Sequence, residues 1–206
     1  ARGHDVRGLA FYGPTVEADG ARVISLGKSG RWDVLGFFSR LVAELRRDRP
    51  DILHGYLPVA NSLAALAKPF VPGLSVVFGV RTARMDLSRY DLASGLAYKL
   101  ELALGRAADL VICNSAAAAA ASGHPAARCR IIHNGIDTNT FRPDHAAGLR
   151  LRAEHRIDAR TPVIGTVGRL DPAKDHDTFF AGLARLAAAH PQLRALVVGD
   201  GSSADR

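Results

Sequence analysis

Two short apolar runs with an amphipathic segment between them constrain the fold of this chain more than any other feature. The run PVIGTV at 162–167 is rich in β-branched residues and breaks at Gly168, and the run ALVV at 195–198 breaks at Gly199. Two buried strands joined by a helix pair in parallel. The segment therefore predicts a βαβ unit whose helix docks on the sheet through one apolar face, formed by Phe179, Phe180, Leu183, Leu186 and Ala187.

The same alternation of strands and helices runs along the rest of the chain. The patterns predict strands at 6–11, 22–26, 51–55, 74–79, 109–113 and 130–133. They predict helices at 33–48, 58–68, 90–107, 116–121 and 148–155. The first helix is expected to bury Leu35, Phe38, Leu41, Val42 and Leu45, and Asn134-Gly135 is expected to form a tight turn with left-handed backbone.

This order predicts an α/β fold with parallel sheets that helices cover on both faces. The sequence Arg142-Pro143-Asp144 interrupts the pattern, and no further strand is predicted before Pro162. We therefore expect two such sheets, one in a domain at 1–141 and the other in a domain at 142–206.

Composition limits the partners. The net charge is +7, but the arginines are dispersed and no aromatic residues alternate with them, so we expect no nucleic-acid partner. An anionic membrane surface remains a candidate partner. The chain opens on polar residues and contains no apolar run of about 20 residues, which predicts a cytoplasmic location. Cys113 and Cys129 lack metal-ligand spacing and are expected to be buried free thiols; no metal or other cofactor is expected.

The stretch GRLDPAK at 168–174 carries the strongest chemical signal. Arg169 follows a predicted strand and Lys174 precedes a helix, so both cations could converge on one diphosphate at the edge where parallel sheets bind ligands. Such cations would stabilise the charge that develops on a leaving diphosphate. The alternative is a pair of solvated cations beside Asp171 and Asp175. A capping aspartate, Asp171, Asp175 or Asp177, would compete with phosphate for the helix amides.

Further polar residues and glycines lie at the predicted carboxyl ends of other strands. Gly168 with Gly199, Asp200 and Gly201 would line the same phosphate site. His54, Asn61, Arg81, Arg84, Asn114 and Ser115 would line a second site. Each has a structural alternative: His54 as a simple hydrogen-bonding group, the arginines as solvated loop residues, and Asn114-Ser115 as the cap of the alanine helix.

Several of these segments occur together, in the same order, in one enzyme family. The segments DILHGYLPVANSLAALA, VICNS, IIHNGIDTNTFRP, VIGTVGRLDPAKDHDTFFAGLARL and ALVVGDG resemble the retaining, nucleotide-sugar-dependent glycosyltransferases of family four. The resemblance implies the GT-B architecture, with two Rossmann-like domains facing across a cleft and no metal. It also implies that Arg169 and Lys174 hold the donor diphosphate.

The chain departs from the family pattern in three places. The glycine-rich loop would precede Ala1 and the paired-glutamate motif would follow Arg206, so the resemblance implies two incomplete domains. It further implies an internal fragment with little or no transferase activity of its own. The histidine that often follows the strand at 74–78 is replaced by Gly79, with Arg81 close by.

The function that follows from the resemblance is hexosyl transfer. The complete enzyme would move a sugar from a UDP- or GDP-sugar to a glycan or lipid-linked acceptor in cell-envelope polysaccharide or glycolipid synthesis. Arg169 and Lys174 would act on the leaving diphosphate, and His54 and Arg81 would line the acceptor side. Two alternatives stay open: a nucleotide-sugar epimerase of the same architecture, and a non-catalytic module that binds nucleotide-sugars.

Overall fold

The computed structural model describes residues 3–18, 20–30, 32–82 and 92–201. These residues form two compact units, the first ending at Asn134 and the second beginning at Gly135. The predicted boundary near 142 therefore lies inside the second unit. Arg84 and the first two residues of the helix predicted at 90–107 lie outside the described residues.

The first unit alternates strands and helices. Its elements are β1 (Arg7–Ala10), β2 (Val16–Ala18), β3 (Ala21–Ser25), α1 (Leu35–Asp48), β4 (Ile52–Tyr56), α2 (Leu57–Ala67), β5 (Ser75–Val80), α3 (Leu92–Leu104), β6 (Leu110–Cys113), α4 (Ala116–Ala121) and β7 (Cys129–Ile131). Their order agrees with the predicted alternation. None of the described helices is both long and apolar enough to cross a bilayer.

Two sheets share this unit. One has the order β4-β5-β6-β7 and is parallel throughout, with Tyr56 opposite Gly79 and Val80 opposite Cys113. The other has the order β1-β3-β2, in which β1 is parallel to β3 and β2 is antiparallel to it. The sequence analysis missed β2. Its signal is the Asp19-Gly20 dipeptide, because Asp-Gly is a favoured two-residue hairpin connection.

The core of the first unit lies between α1, α2 and the strands. Phe37, Leu41 and Leu45 of α1 are buried in one cluster with Val76 and Phe78 of β5. The prediction was wrong for Leu35, which is 82% exposed, because α1 turns Phe37 into the core instead. The Phe11 ring packs edge-on against Phe37 with centroids 4.8 Å apart.

The second unit contains the predicted βαβ segment. Its elements are α5 (His145–Glu154), β8 (Val163–Val167), α6 (His176–Ala189) and β9 (Arg194–Val198). β8 and β9 pair in parallel over their full lengths, from Val163 opposite Arg194 to Val167 opposite Val198. α5 begins earlier than predicted because Asp144 Oδ1 accepts a hydrogen bond from the Ala147 amide at 2.9 Å and caps it.

Side-chain packing is sparse in the second unit. Among its described residues, Ile157 is the only buried apolar side chain. Of the face predicted for α6, Phe180 and Leu186 are exposed, while Phe179 and Leu183 are half-buried. The prediction of the docking face of α6 was therefore only partly right.

The predicted turn at Asn134-Gly135 is absent. Neither residue has a positive φ, and the segment runs without regular structure up to Asp137. The turn lies at 138–140 instead, because the Asp137 carboxylate accepts hydrogen bonds from the Asn139 amide at 2.9 Å and the Thr140 hydroxyl at 2.8 Å.

Candidate functional site

The loops that follow β8 and β9 lie backbone against backbone. The Gly168 amide donates to the Val198 carbonyl at 3.0 Å, and the Leu170 amide donates to the Asp200 carbonyl at 2.9 Å. A Cβ on Gly199 would lie 1.8 Å from the Gly168 carbonyl oxygen, and one on Gly201 would lie 2.3 Å from that of Leu170. Both positions therefore require glycine. We call residues 168–170 and 199–201 the paired-loop edge.

One face of this edge is open. A Cβ on Gly168 would meet no atom within 4 Å, so a ligand could approach the backbone there. The Arg169 side chain is 76% exposed, and its guanidinium lies 3.0 Å from the Asp171 carboxylate. Lys174 is exposed at the end of a single 3-10 turn, Pro172–Lys174, whose start is held by the Lys174 amide donating to the Asp171 carbonyl. Their predicted role on a diphosphate stays a prediction.

The first turn of α6 supports the paired-loop edge. His176 Nε2 lies 3.0 Å from the Arg169 carbonyl oxygen, so this nitrogen carries the proton and donates. The Asp175 carboxylate accepts from the Thr178 hydroxyl at 3.1 Å and makes no cap bond to a helix amide. Asp175 therefore does not occupy the amides for which an anion would compete. The sequence analysis missed His176, whose one signal is its place at the start of the helix after Lys174.

Three side chains stack at the carboxyl end of β4. The rings of His54 and Tyr56 have centroids 4.3 Å apart, and the Arg81 guanidinium carbon lies 5.4 Å from the centroid of the Tyr56 ring. We call these residues the His54–Tyr56–Arg81 stack. The sequence analysis named His54 and Arg81 but missed Tyr56. The signal for it is the spacing of two residues from His54, which places both side chains on one face of a strand.

His54 is held neutral in this stack. Burial lowers the pKa of His54, and the nearby Arg81 charge lowers it further. Its Nε2 is buried and has no hydrogen-bond partner among the described residues. This nitrogen faces the Gly79 backbone and is closed to solvent, so the predicted contact of His54 with a ligand hydroxyl stays a prediction.

Asn61 acts on the backbone and not on a ligand. Its side chain is fully buried, Oδ1 accepts from the Gly79 amide at 3.2 Å, and Nδ2 donates to the Gly79 carbonyl at 3.3 Å. Nδ2 also donates to the carboxyl of Glu101, whose pKa is raised by burial. The predicted cleft contact of Asn61 is therefore corrected, because its amide is already occupied. Glu101 was missed; its signal is that it is the single acidic residue of α3 and lies between Leu100 and Leu102.

Gly79 lies inside β5, in close contact with its neighbours, and does not follow the strand. A Cβ there would lie 2.7 Å from the Gly55 carbonyl oxygen and 3.1 Å from His54 Nε2, so no larger side chain fits. β5 continues to Val80, past the predicted end at Gly79. Arg81 is consequently the first side chain beyond β5.

Asn114 and Ser115 have different roles. Asn114 Nδ2 donates to the Arg81 carbonyl at 3.1 Å, and the Asn114 carbonyl lies 3.2 Å from His133 Nδ1. Ser115 Oγ accepts from the Ala118 amide at 3.0 Å and caps α4, which is the structural alternative for that residue. Asn114 thus joins the second site through the Arg81 backbone.

Both cysteines are free, as predicted, although only Cys113 is fully buried and Cys129 is half-buried. Burial is the main cause that raises the pKa of the Cys113 thiol to about 11. At neutral pH this thiol stays protonated and unreactive.

Comparison with known proteins identifies the family. The family model described as Glycosyltransferase Family 4 matches residues 1–140, which is more than half of the chain. The chain belongs to glycosyltransferase family 4. A curated relative, the D-inositol 3-phosphate glycosyltransferase of Segniliparus rotundus, is 38% identical over 72 residues. That match covers 35% of this chain and 16% of the relative.

Solved structures show the fold of this family 4 chain. Anabaena Alr3699/HepE in complex with UDP-glucose superposes with a TM-score of 0.69 at 23% identity, covering 87% of this chain and 47% of that one. The UDP-GlcNAc 2-epimerase of Neisseria meningitidis, bound to UDP-GlcNAc, superposes with a TM-score of 0.54 at 12% identity, covering 88% and 52%. These likenesses support the predicted GT-B-like α/β architecture. The chain spans about half the length of these solved structures.

Proposed function

We propose that the protein to which this chain belongs is a retaining glycosyltransferase that moves a sugar from a UDP- or GDP-sugar to a glycan or lipid-linked acceptor. The observation that carries the proposal is the paired-loop edge, in which two loops are locked together by glycine and present Arg169 beside an open backbone surface. Membership of glycosyltransferase family 4 supports the reaction class.

The paired-loop edge would receive the donor diphosphate. The guanidinium of Arg169 presents a planar fork of donors to phosphate oxygens, and Lys174 adds a point charge. The Arg169 side of the ion pair is exposed, whereas the Asp171 side chain is only 16% exposed, so Arg169 is the partner that can turn toward a phosphate. His176 would keep the backbone at Arg169 in place, and Gly168 would leave room for the phosphate.

These cations would also promote the reaction. Negative charge develops on the diphosphate as the glycosidic bond to the donor sugar breaks, and fixed cations stabilise that charge. We propose that the two side chains supply this stabilisation without a metal ion.

The acceptor would bind at the His54–Tyr56–Arg81 stack in the first unit. Neutral His54 would support the Tyr56 ring at this site through the contact between the two rings. The net charge of +7 supports work at the anionic cytoplasmic face of a membrane, where lipid-linked acceptors would be presented.

Two other functions use the same fold. The likeness in fold to the Neisseria enzyme supports a nucleotide-sugar epimerase as the second candidate. Such an enzyme would release an altered sugar with no acceptor present. A non-catalytic module would bind the donor without turnover. Incubation of the full-length parent with donor, with and without acceptor, followed by NMR analysis of the products, separates all three.

The donor site is tested by calorimetric titration of UDP and GDP into the chain and its variants. We expect Arg169→Ala and Lys174→Ala each to weaken binding of the preferred nucleotide about tenfold, equivalent to about 1.4 kcal/mol. The matched controls are Arg150→Ala in α5 and Lys99→Ala in α3, which remove exposed charges elsewhere and should bind as the unmodified chain does. Unchanged affinity in both site variants would contradict the proposal.

A further inference from the structure

Arg81 differs from three other arginines of the first unit in the group that its guanidinium meets. Arg7, Arg40 and Arg47 each meet a carboxylate, those of Asp48, Asp33 and Glu44 respectively. The Arg81 guanidinium instead lies over the Tyr56 ring, and no carboxylate among the described residues pairs with it. A cation–π contact attracts the positive charge but accepts none of the guanidinium N–H donors in a hydrogen bond. No described residue accepts a hydrogen bond from the Arg81 guanidinium, which leaves its N–H donors available to an anion as far as the described residues are concerned.

The position of Arg81 is fixed from two sides. Asn114 Nδ2 holds its carbonyl at 3.1 Å, and the preceding strand is held at Gly79 by both polar atoms of the Asn61 amide. These contacts fix the Arg81 backbone, and the contact with the Tyr56 ring places its guanidinium.

Among the described residues, 3–82 and 92–201 apart from 19 and 31, no ion pair between the stack and an acidic group is found. Glu101 reaches the same strand end only through Asn61; it is buried and its carboxyl accepts from Asn61 Nδ2. His54 adds no negative charge, and its Nε2 lacks a partner. The exposed end of the stack thus presents the Arg81 guanidinium and the Tyr56 ring.

We propose that Arg81 and Tyr56 form a subsite for an anionic group, a phosphate or a carboxylate, on the acceptor sugar. Arg81 would bind the anion through its N–H donors, and the Tyr56 ring, which is 52% exposed, would contact the sugar. The inference depends on the proposed function only in assigning the ligand as the acceptor. The residues of the subsite all belong to the first unit.

NMR titration of the chain tests this subsite. Glucose 6-phosphate, glucuronate and glucose are added separately, and the ring resonances of His54 and Tyr56 are followed. We expect at least one anionic sugar to shift these resonances with saturation, and glucose to bind at least about tenfold more weakly because it lacks the charge-assisted contact. Response to the phosphate alone or to the uronate alone identifies which anion the acceptor carries.

Variants assign the response to Arg81. Arg81→Ala should weaken the anionic sugar about tenfold, Arg81→Lys should restore part of the affinity, and Arg150→Ala in the second unit should change nothing. Arg81→Ala should also raise the pKa of His54, because it removes the positive charge that helps to lower it. Equal binding of glucose and both anionic sugars, absence of any shift at His54 and Tyr56, or full affinity in Arg81→Ala would overturn the proposal.

This experiment is independent of the donor site. Loss of the proposed donor function would appear as unchanged UDP and GDP affinity in Arg169→Ala and Lys174→Ala. The sugar titration reads only residues of the first unit, so the two proposals can fail separately.

Discussion

The two units position their candidate sites by different physical means. In the first unit Phe37, Leu45 and Phe78 are almost fully buried, and the His54–Tyr56–Arg81 stack stands at the end of strands packed on that core. In the second unit Ile157 is the only buried apolar side chain among the described residues, yet the paired-loop edge is closely fitted. Backbone hydrogen bonds hold its two loops together, and Gly199 and Gly201 leave room for the two backbones to touch.

The two sites are therefore sensitive to different kinds of substitution. A site supported by a packed core loses its geometry when the core loses volume, because interiors are close-packed and transmit strain. A site made by two backbones in contact is insensitive to core volume and sensitive to a single added methyl group. Pairs of matched substitutions, one in each unit, therefore test this difference.

The largest difference is expected from phenylalanine truncation. Phe78→Ala in the first unit should cost about 3–5 kcal/mol of unfolding free energy because it leaves a cavity in the core. Phe180→Ala in α6 should cost less than about 1 kcal/mol because that ring is 48% exposed. Urea denaturation followed by circular dichroism measures both. Equal losses would show that the second unit is packed as tightly as the first.

A buried amide gives the next largest effect. Asn61→Ala should destabilise the first unit by about 2 kcal/mol, since it leaves the Gly79 amide, the Gly79 carbonyl and Glu101 without their partner. Asn139→Ala, in an exposed turn of the second unit, should change stability by less than about 0.5 kcal/mol. The same urea experiment compares them. A neutral Asn61→Ala would contradict the role given to this side chain.

The paired-loop edge should respond to one methyl group. Gly199→Ala should weaken UDP or GDP binding about tenfold, since its Cβ would lie 1.8 Å from the Gly168 carbonyl oxygen and must push the loops apart. Gly182→Ala in α6 adds the same group where no atom lies within 4 Å, and alanine favours a helix. Calorimetry should find its affinity unchanged. Similar nucleotide affinities for Gly199→Ala and Gly182→Ala would contradict the claim that the two loops of the paired-loop edge are closely fitted.

The smallest predicted effect is a shift in acid stability. The pKa of Asp33 is lowered to about 2, chiefly because its carboxylate accepts a hydrogen bond from the Ser29 amide and also because it pairs with Arg40. Its contribution is therefore present above about pH 4 and is lost as the pH falls toward about 2. Asp33→Asn should flatten the stability curve of the first unit in that window.

Circular dichroism during acid titration measures this shift. Asp137→Asn is the matched variant in the second unit, where the Thr140 hydroxyl lowers the pKa of Asp137 in the same direction. Superimposable curves for Asp33→Asn and the unmodified chain would show that the Ser29 and Arg40 contacts do not stabilise the fold.

Patterns of local sequence predicted most of the architecture. β8, α6 and β9 were found because β-branched runs end at Gly168 and Gly199, and the parallel β4–β7 sheet was found for the same kind of reason. The face of α1 was misjudged because Leu35 and Phe37 both fit a helical period. Phe37 is buried by contacts that are distant in sequence, among them the ring of Phe11, which follows β1.

The second site was harder to predict because it depends on register. Tyr56 and Gly79 are paired across β4 and β5, and Arg81 reaches the Tyr56 ring only because β5 continues to Val80. Asn61 was assigned to the cleft because an amide on a helix near a strand end can face either the cleft or the neighbouring strand. Its burial follows from Gly79 and Glu101, which are far from it in sequence.

The most direct test of the account is an amide-resolved NMR titration of the isotope-labelled chain with UDP and GDP. We expect the preferred nucleotide to shift the amides of the paired-loop edge, at 168–170 and 199–201, and the Arg169→Ala/Lys174→Ala double variant to lose that response. Shifts confined to the first unit, or an undiminished response in the double variant, would contradict the assignment of the diphosphate to these two side chains.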